Sequence, residues 1–225
     1  MKLVFILYKP AVPGNIGSAA RGLKTMGFDE LRLINPSDHL AEESKMMAHG
    51  SHDILENAKV FPNFKEAISD LDFVVGTTAK RRTVREDYLS PPEIVELIQR
   101  KSASLKNLGI VFGTEESGLP NEILQLCDIA STISLKQPYP SLNLGQAVML
   151  YAYEFSNLKL SKKQLEEIDE KSYAKLKKRL IKLMDKLDIP DNISLYHRIL
   201  ERFSQINTED INLLHSISSK LDEKI

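Results

Sequence analysis

A single cysteine occurs in 225 residues, so no internal disulfide can form, which suits a reducing compartment. Cys127 lies in Leu-Gln-Leu-Cys-Asp between apolar neighbours and reads as packing, not as a nucleophile. No apolar run is long enough to span a bilayer, and the start, Met-Lys-Leu-Val-Phe-Ile-Leu-Tyr-Lys-Pro, is too short in its apolar part for a secretory signal. A cytoplasmic chain is expected. The formal net charge of -1 excludes a bulk field that would gather nucleic acid, so such binding must rest on local patches. Neither Gly-x-Gly-x-x-Gly nor Gly-x-x-x-x-Gly-Lys-Ser/Thr is present, which disfavours a dehydrogenase or other familiar nucleotide enzyme. Gly14-Asn15-Ile16-Gly17 is at best a weak candidate for a phosphate loop. Paired cysteines and a spaced histidine cluster are also missing; His39, His49 and His52 read as surface or capping residues, and no metal is expected.

What is present is a core. A hydrophobic content of 42% at this length suits one ordinary domain and a smaller annex. Leu3 to Leu7, Phe73 to Gly76 and Gly109 to Phe112 are apolar runs of the kind buried in parallel sheets, Leu31 to Ile34 gives another strand, and shorter strands fall near Val60-Phe61 and Ala130 to Ile133. Helices fall between them. Asn15 stands where an N-cap should for residues 16–26, Gly27 suits the C-cap, and Gly17, Ala19 and Ala20 imply close approach to another surface. Residues 42–49 and 64–68 read as helix, Ser90-Pro91-Pro92-Glu93 is a capping box for a helix to about Lys101, and another runs from about Pro120 to Leu126. The alternation predicts an α/β layer fold with a mainly parallel sheet through residue 158.

Residues 137–155 organise the rest. Two prolines hold the approach extended, and Ser141 or Asn143 caps a helix carrying Leu144, Ala147, Val148, Tyr151, Phe155 and Leu158 on one stripe, with Met149, Leu150 and Ala152 extending it. A helix this apolar needs cover from its own sheet and from something else, such as a second subunit. After residue 158 the chain becomes charged, with Leu165, Ile168, Leu176, Leu180, Leu183 and Leu187 at helical spacing. Ile189-Pro190-Asp191-Asn192 interrupts it, a helix with Leu195, Ile199, Leu200 and Phe203 follows, and Thr208 caps the last. The division expected is 1–158 and 159–225. The cations Lys162, Lys163, Lys175, Lys177, Lys178, Arg179 and Lys182 in this tail fit a solvated helix face and RNA binding equally.

Ligands of open α/β sheets bind at the carboxyl ends of strands, which here lead into Lys9 to Asn15, Thr77 to Arg85 and Gly113 to Gly118. Three segments together resemble one family. Asn15-Ile16-Gly17-Ser18-Ala19-Ala20-Arg21, Phe112-Gly113-Thr114-Glu115-Glu116-Ser117-Gly118-Leu119 and Ser141-Leu142-Asn143-Leu144-Gly145-Gln146-Ala147-Val148 are similar to the three motifs of the TrmH-like (SpoU) branch of SPOUT methyltransferases. Lys24-Thr25-Met26-Gly27, Gly76-Thr77-Thr78-Ala79 and the helical tail bring it nearer to the TrmJ/LasT group.

The resemblance implies a trefoil-knotted α/β domain with a small all-α extension, a homodimer that binds S-adenosylmethionine and methylates a ribose 2′-hydroxyl in RNA, tRNA before rRNA. A non-catalytic, RNA-binding knotted dimer is the alternative. Arg21 matches the arginine that contacts the substrate phosphate and assists deprotonation from across the dimer, and Asn15 positions it. Ser141 and Asn143 match the polar pair of the third motif and complete the catalytic set. Cofactor contacts are implied for Thr77, Thr78, Ala79, Gly113, Glu115, Gly118, Ile133, Ser141 and Leu142, with Glu115 bonding loop amides or, second, acting as acid or base. Thr114 stands where the group often has arginine, and Lys80, Arg81, Arg82 and Arg85 are the compensating cations expected to meet RNA phosphate alongside Arg21.

Overall fold

In the computed structural model, residues 1–137, 141–158 and 173–222 are described. The expectations for Pro138, Pro140, Lys162, Lys163, Leu165 and Ile168 lie outside them. The described chain divides into two compact units, one of residues 2–95 and 107–158, the other of Met1, 96–106 and 173–222.

The first unit is built on seven strands: β1 (Lys2–Tyr8), β2 (Leu31–Ile34), β3 (Lys59–Phe61), β4 (Phe73–Thr77), β5 (Tyr88–Leu89), β6 (Asn107–Phe112) and β7 (Ile129–Ser131). Their order is β3-β2-β1-β6-β4-β7-β5, and every pairing is parallel. Helices cover such a sheet on both faces, so its central strands are largely apolar and not alternating, with Arg32 of β2 buried and ion-paired to Asp70 at 2.6 Å. All four residues of β2 and all five of β4 are buried. Phe5 of β1 stacks on Phe112 of β6 at 6.3 Å between centroids, and Phe112 meets Tyr151 edge-on at 5.4 Å.

From β1 the chain builds toward β3, crosses to β4 and β5 on the other side, and only then inserts β6 between β1 and β4 and β7 between β4 and β5. The strand order therefore reverses between β1 and β6, the place where an open α/β sheet leaves a crevice. Register aligns the strand ends: Leu7 pairs with Phe112, Gly76 with Val111, and Thr77 with Ser131. The loops after β1, β6, β4 and β7 thus emerge side by side.

Helix α1 (Pro13–Thr25) follows β1. The expectation that Asn15 caps it is corrected: Val12 occupies the cap, Pro13 fills the first turn, and no side-chain cap bond is made there. Proline at that position has no N–H to leave unpaired, and Asn15 is released to bond elsewhere. Gly27, at φ 82°, does turn the chain after the helix. The close approach expected of Gly17 is present, since a Cβ there would collide with the Ser44 carbonyl of α2 (Glu42–Met47). Short helices α3 (His52–Glu56) and α4 (Phe64–Ala67) follow, then α5 (Pro91–Lys101) and α6 (Asn121–Leu126). Of the two capping candidates for α7 (Leu144–Ser156), Asn143 is the cap: its side chain accepts from Gly145 N at 2.8 Å while Gln146 Oε1 accepts from Asn143 N at 3.1 Å. Leu144, Val148, Tyr151, Ala152 and Phe155 are buried, whereas Leu150 and Tyr153 are 40% and 54% exposed.

In the second unit the described helices are α8 (Tyr173–Lys186), α9 (Ile193–Ser204) and α10 (Thr208–Asp222). Tyr173 packs on Phe203 at 5.4 Å and lies under the Lys101 ammonium at 4.5 Å. Asn207, not Thr208, caps α10, exchanging bonds with Asp210: Asp210 N donates to Asn207 Oδ1 at 2.9 Å and Asn207 N to Asp210 Oδ2 at 3.1 Å. Among the described residues no helix is long and apolar enough to cross a membrane.

Candidate active site

Beside the strand-order reversal the three sequence motifs meet in one hydrogen-bonded chain. The Glu115 carboxylate, from the loop after β6, accepts from the backbone amides of Ala11 at 3.0 Å and Val12 at 3.2 Å and from the Asn15 side-chain nitrogen at 3.0 Å. Asn15 Oδ1 in turn accepts from the Asn143 side-chain nitrogen at 2.7 Å. Each amide is oriented by its neighbour: Glu115 can only accept, so Asn15 presents nitrogen to it and oxygen to Asn143. Burial pushes the Glu115 carboxyl up, but the Ala11 amide, the Asn15 side chain and the remaining amides outweigh it and hold its pKa below the usual carboxylate value. An anion is thereby kept at the first turn of α1, where the helix dipole also favours it.

Two hollows flank this chain. The first, of about 450 Å³, is lined by Thr77, Thr78, Ala79, Lys80, Arg81 and Arg82 on one wall, and by Phe112 through Gly118 on another. Ile133, Leu135, Ser141, Leu142, Leu144, Ala147 and Tyr151 close it. The second is an open groove lined by Val12, Gly14, Asn15, Ser18, Glu43, Met47, Leu142, Asn143, Gly145, Gln146, Met149 and Leu150. Leu142 belongs to both.

The first hollow has the size of a small-molecule site and pairs an apolar slot with threonine-rich backbone. Thr77 Oγ1 donates to the Val111 carbonyl and Thr78 Oγ1 to the Lys80 carbonyl, each at 2.9 Å. Their hydroxyl protons are committed, so toward a ligand these two side chains can only accept. Gly113 and Gly118 shape the facing loop: a Cβ on Gly113 would run into the Gly118 carbonyl carbon, and Gly118 sits at φ 70°. Thr114 and Gly118 pair across the loop, N to O at 3.2 and 3.0 Å. Tyr151 contributes its ring at the back; its hydroxyl donates to Ser131 Oγ at 2.7 Å, and burial pushes its pKa well up, against the smaller effect of that bond.

The four cations of the loop after β4 divide into two kinds. Arg85 is buried and donates to the carbonyls of Leu124 at 2.8 Å, Gln125 at 3.2 Å and Cys127. Arg82 donates to Leu119, Ser117 and Asn121. Carbonyls brought in by α6 and its approach already take the donors of these two, which counts against the expectation that they meet RNA phosphate. Lys80 and Arg81 remain exposed at the rim of the first hollow. Arg21 is exposed on α1 and lines neither hollow.

Thus Thr77, Thr78, Ala79, Gly113, Glu115, Gly118, Ile133, Ser141 and Leu142 share the first hollow, while Asn15 and Asn143 face the second. Leu135, Ala147 and Tyr151 were missed as lining residues. The last two lay on the stripe read as core, and periodicity cannot separate a core wall from a cavity wall. Among the described residues no group of three or more His, Cys, Asp or Glu could hold a metal ion.

Comparison with known proteins agrees with this layout. Residues 2–153 match the SpoU rRNA Methylase family and residues 170–225 the C-terminal domain of the tRNA/rRNA methyltransferase LasT. The chain is 38% identical over 226 residues to an uncharacterized tRNA/rRNA methyltransferase, LasT, of Escherichia coli K12, covering 100% of this chain and 99% of the relative. It is 37% identical over 179 residues to the tRNA (cytidine-2′-O-)-methyltransferase TrmJ of Methanocaldococcus jannaschii, covering 78% and 76%. The crystal structure of TrmJ from Z. mobilis ZM4 superposes with a TM-score of 0.67 at 28% identity, over 99% of this chain and 100% of that one. With three motifs joined at one strand-order reversal and a family match across the whole sheet, the chain belongs to the SpoU methylase family.

Proposed function

We propose that this chain is an S-adenosylmethionine-dependent methyltransferase acting on a ribose 2′-hydroxyl in RNA, tRNA before rRNA, and that it works in the cytoplasm as a homodimer with a trefoil-knotted backbone. The observation that carries the reading is the Glu115–Asn15–Asn143 chain of hydrogen bonds, which joins the three motifs between the two hollows. The first hollow fits the cofactor. It offers apolar walls in Ile133, Leu135 and Leu142, backbone at Thr77 to Ala79, and the exposed Glu116 carboxylate at its rim, suited to a cationic sulfonium. When bound, the cofactor supplies an electrophilic methyl group.

The chain's own residues have the remaining tasks. A ribose hydroxyl is a poor nucleophile at neutral pH, so it must be held in line and helped to lose its proton. Ser141 at the first hollow and Asn143 and Asn15 at the groove are placed to orient the ribose, with Leu142 between them. Arg21 holds the adjoining phosphate and draws the hydroxyl toward ionisation. A guanidinium stays charged and accepts protons poorly, which supports organising over free-base chemistry. Its absence from both hollows of its own chain supports service to the site of a second copy. Exposed Leu150 and Tyr153 on α7 and Met46 and Met47 on α2 supply an apolar face for that copy.

The test is to incubate the protein with labelled methyl donor and bulk tRNA or rRNA and to analyse the nucleosides. Label on the ribose is expected; label on a base refutes the reaction. Light scattering that gives one chain per particle refutes the dimer.

A further inference from the structure

Arg82 faces inward. One terminal nitrogen donates to the Leu119 carbonyl at 2.6 Å and to Asn121 Oδ1 at 3.1 Å, and the other to the Ser117 carbonyl at 2.8 Å. All three acceptors lie on the segment after β6. The backbone of Arg82 is held from the other side, where the Tyr88 hydroxyl on β5 accepts from Arg82 N at 2.8 Å and donates to its carbonyl at 3.0 Å. An edge strand, a basic loop and the second motif are therefore linked through one residue.

The linked segments are the two walls of the first hollow: Lys80 to Arg82 on one side and Thr114 to Gly118 on the other. Neither wall is itself helix or long ladder; Glu115 ties the facing loop to the start of α1, and Arg82 ties it to the opposite wall. The facing loop closes on itself by the Thr114–Gly118 pairing and by Ser117 N donating to Thr114 Oγ1 at 3.2 Å, and Gly118 turns it at φ 70°. A planar fork reaches two carbonyls and an amide oxygen at fixed angles, which an ammonium on a flexible stem cannot copy. Turning Arg82 out to a phosphate would leave those acceptors without their donor.

We propose that Arg82 is a positioning residue, a clasp across the two loops that sets the width of the cofactor cavity and acts on methyl-donor affinity, not on RNA. This rests on the reading that the cavity takes S-adenosylmethionine. The Lys80 and Arg81 side chains remain for the polyanion, and Arg82 belongs to the cavity's frame.

The experiment measures S-adenosylmethionine binding by calorimetry, RNA binding across a salt series, and KM and kcat, for wild type, Arg82→Ala, Arg82→Lys, Tyr88→Phe and, as a comparator, Arg81→Ala. Arg82→Ala is expected to lose about tenfold in donor affinity, the scale of one charge-assisted hydrogen bond, and to raise the donor KM more than it lowers kcat. Arg82→Lys recovers part of the loss. RNA affinity and its salt slope stay at the wild-type values, whereas Arg81→Ala lowers both. The clasp is overturned if Arg82→Ala binds the donor as wild type does, whatever happens to RNA. If Arg82→Ala does not fold, Tyr88→Phe decides: weaker donor binding with unchanged RNA binding supports the clasp, and unchanged donor binding overturns it. Wild-type protein that binds no donor defeats the proposed function instead. The clasp is then judged by trypsin cleavage after Lys80 and Arg81, faster in Arg82→Ala than in Arg82→Lys if it holds and equal if it does not.

Discussion

The Glu115 carboxylate accepts a 3.0 Å hydrogen bond from the Asn15 side chain across 100 residues of sequence. Two oxygens thereby order the first turn of α1 from a distant loop, and the orientation of Asn143 follows from that of Asn15. Local capping is replaced by a tertiary contact, so loop geometry and helix start rise or fall together.

Glu115→Gln is expected to lower stability by about 1 to 2 kcal/mol at neutral pH, because one acceptor becomes a donor facing other donors. The sign of the pH effect follows from the lowered carboxyl pKa. The ionised side chain stabilises the fold fully above the unfolded carboxylate value of about 4.3, and that contribution is lost as pH falls through the lower folded value. Melting temperatures measured from about pH 7 to about pH 3 should show wild type and variant converging at the acid end. A gap that stays constant throughout contradicts the assignment.

Asn143→Ala removes the cap of α7 and should cost about 1 kcal/mol of stability together with most of the turnover. Asn143→Ser restores the cap but lacks the nitrogen that bonds Asn15. Recovery of melting temperature without recovery of kcat is the expected pattern; recovery of both would reduce Asn143 to a helix cap.

Arg21→Ala should abolish turnover while S-adenosylmethionine binding persists. Mixed with Ala147→Phe, which fills the first hollow of its own chain, it should regain about a quarter of wild-type activity, since half of randomly paired dimers hold one complete site. No regain from verified mixed dimers would place Arg21 at the site of its own chain.

Arg85→Ala leaves buried carbonyls without their donor and is expected to cost about 2 to 4 kcal/mol, read from denaturant midpoints. Lys80→Ala should weaken RNA binding uniformly across sequences and lower the salt slope by about 0.7 to 0.9. A salt slope unchanged in Lys80→Ala would remove that lysine from the phosphate contacts.

Much of the sheet was legible because parallel strands covered on both faces are apolar without alternation, as in β1, β4 and β6. Strand β5 was not, since its two residues are strand only by pairing with β7. Asn15 looked like a cap because its residue type caps, but a carboxylate from the loop after β6 competes for its amide. The loop cations defeated sequence reasoning in another way. Lys80, Arg81, Arg82 and Arg85 carry the same charge within six positions, and only the carbonyls supplied by residues 117–127 separate those that brace from those left at the rim. The loop-amide bonds expected of Glu115 are present at Ala11 and Val12, because that expectation came from a motif and not from periodicity.

Leu142 lines both hollows, beside the Glu115–Asn15–Asn143 bonds that stand between them. One isobutyl group thus borders both chambers, and a molecule made of an adenosine half and a nucleotide half would touch the same side chain from either end.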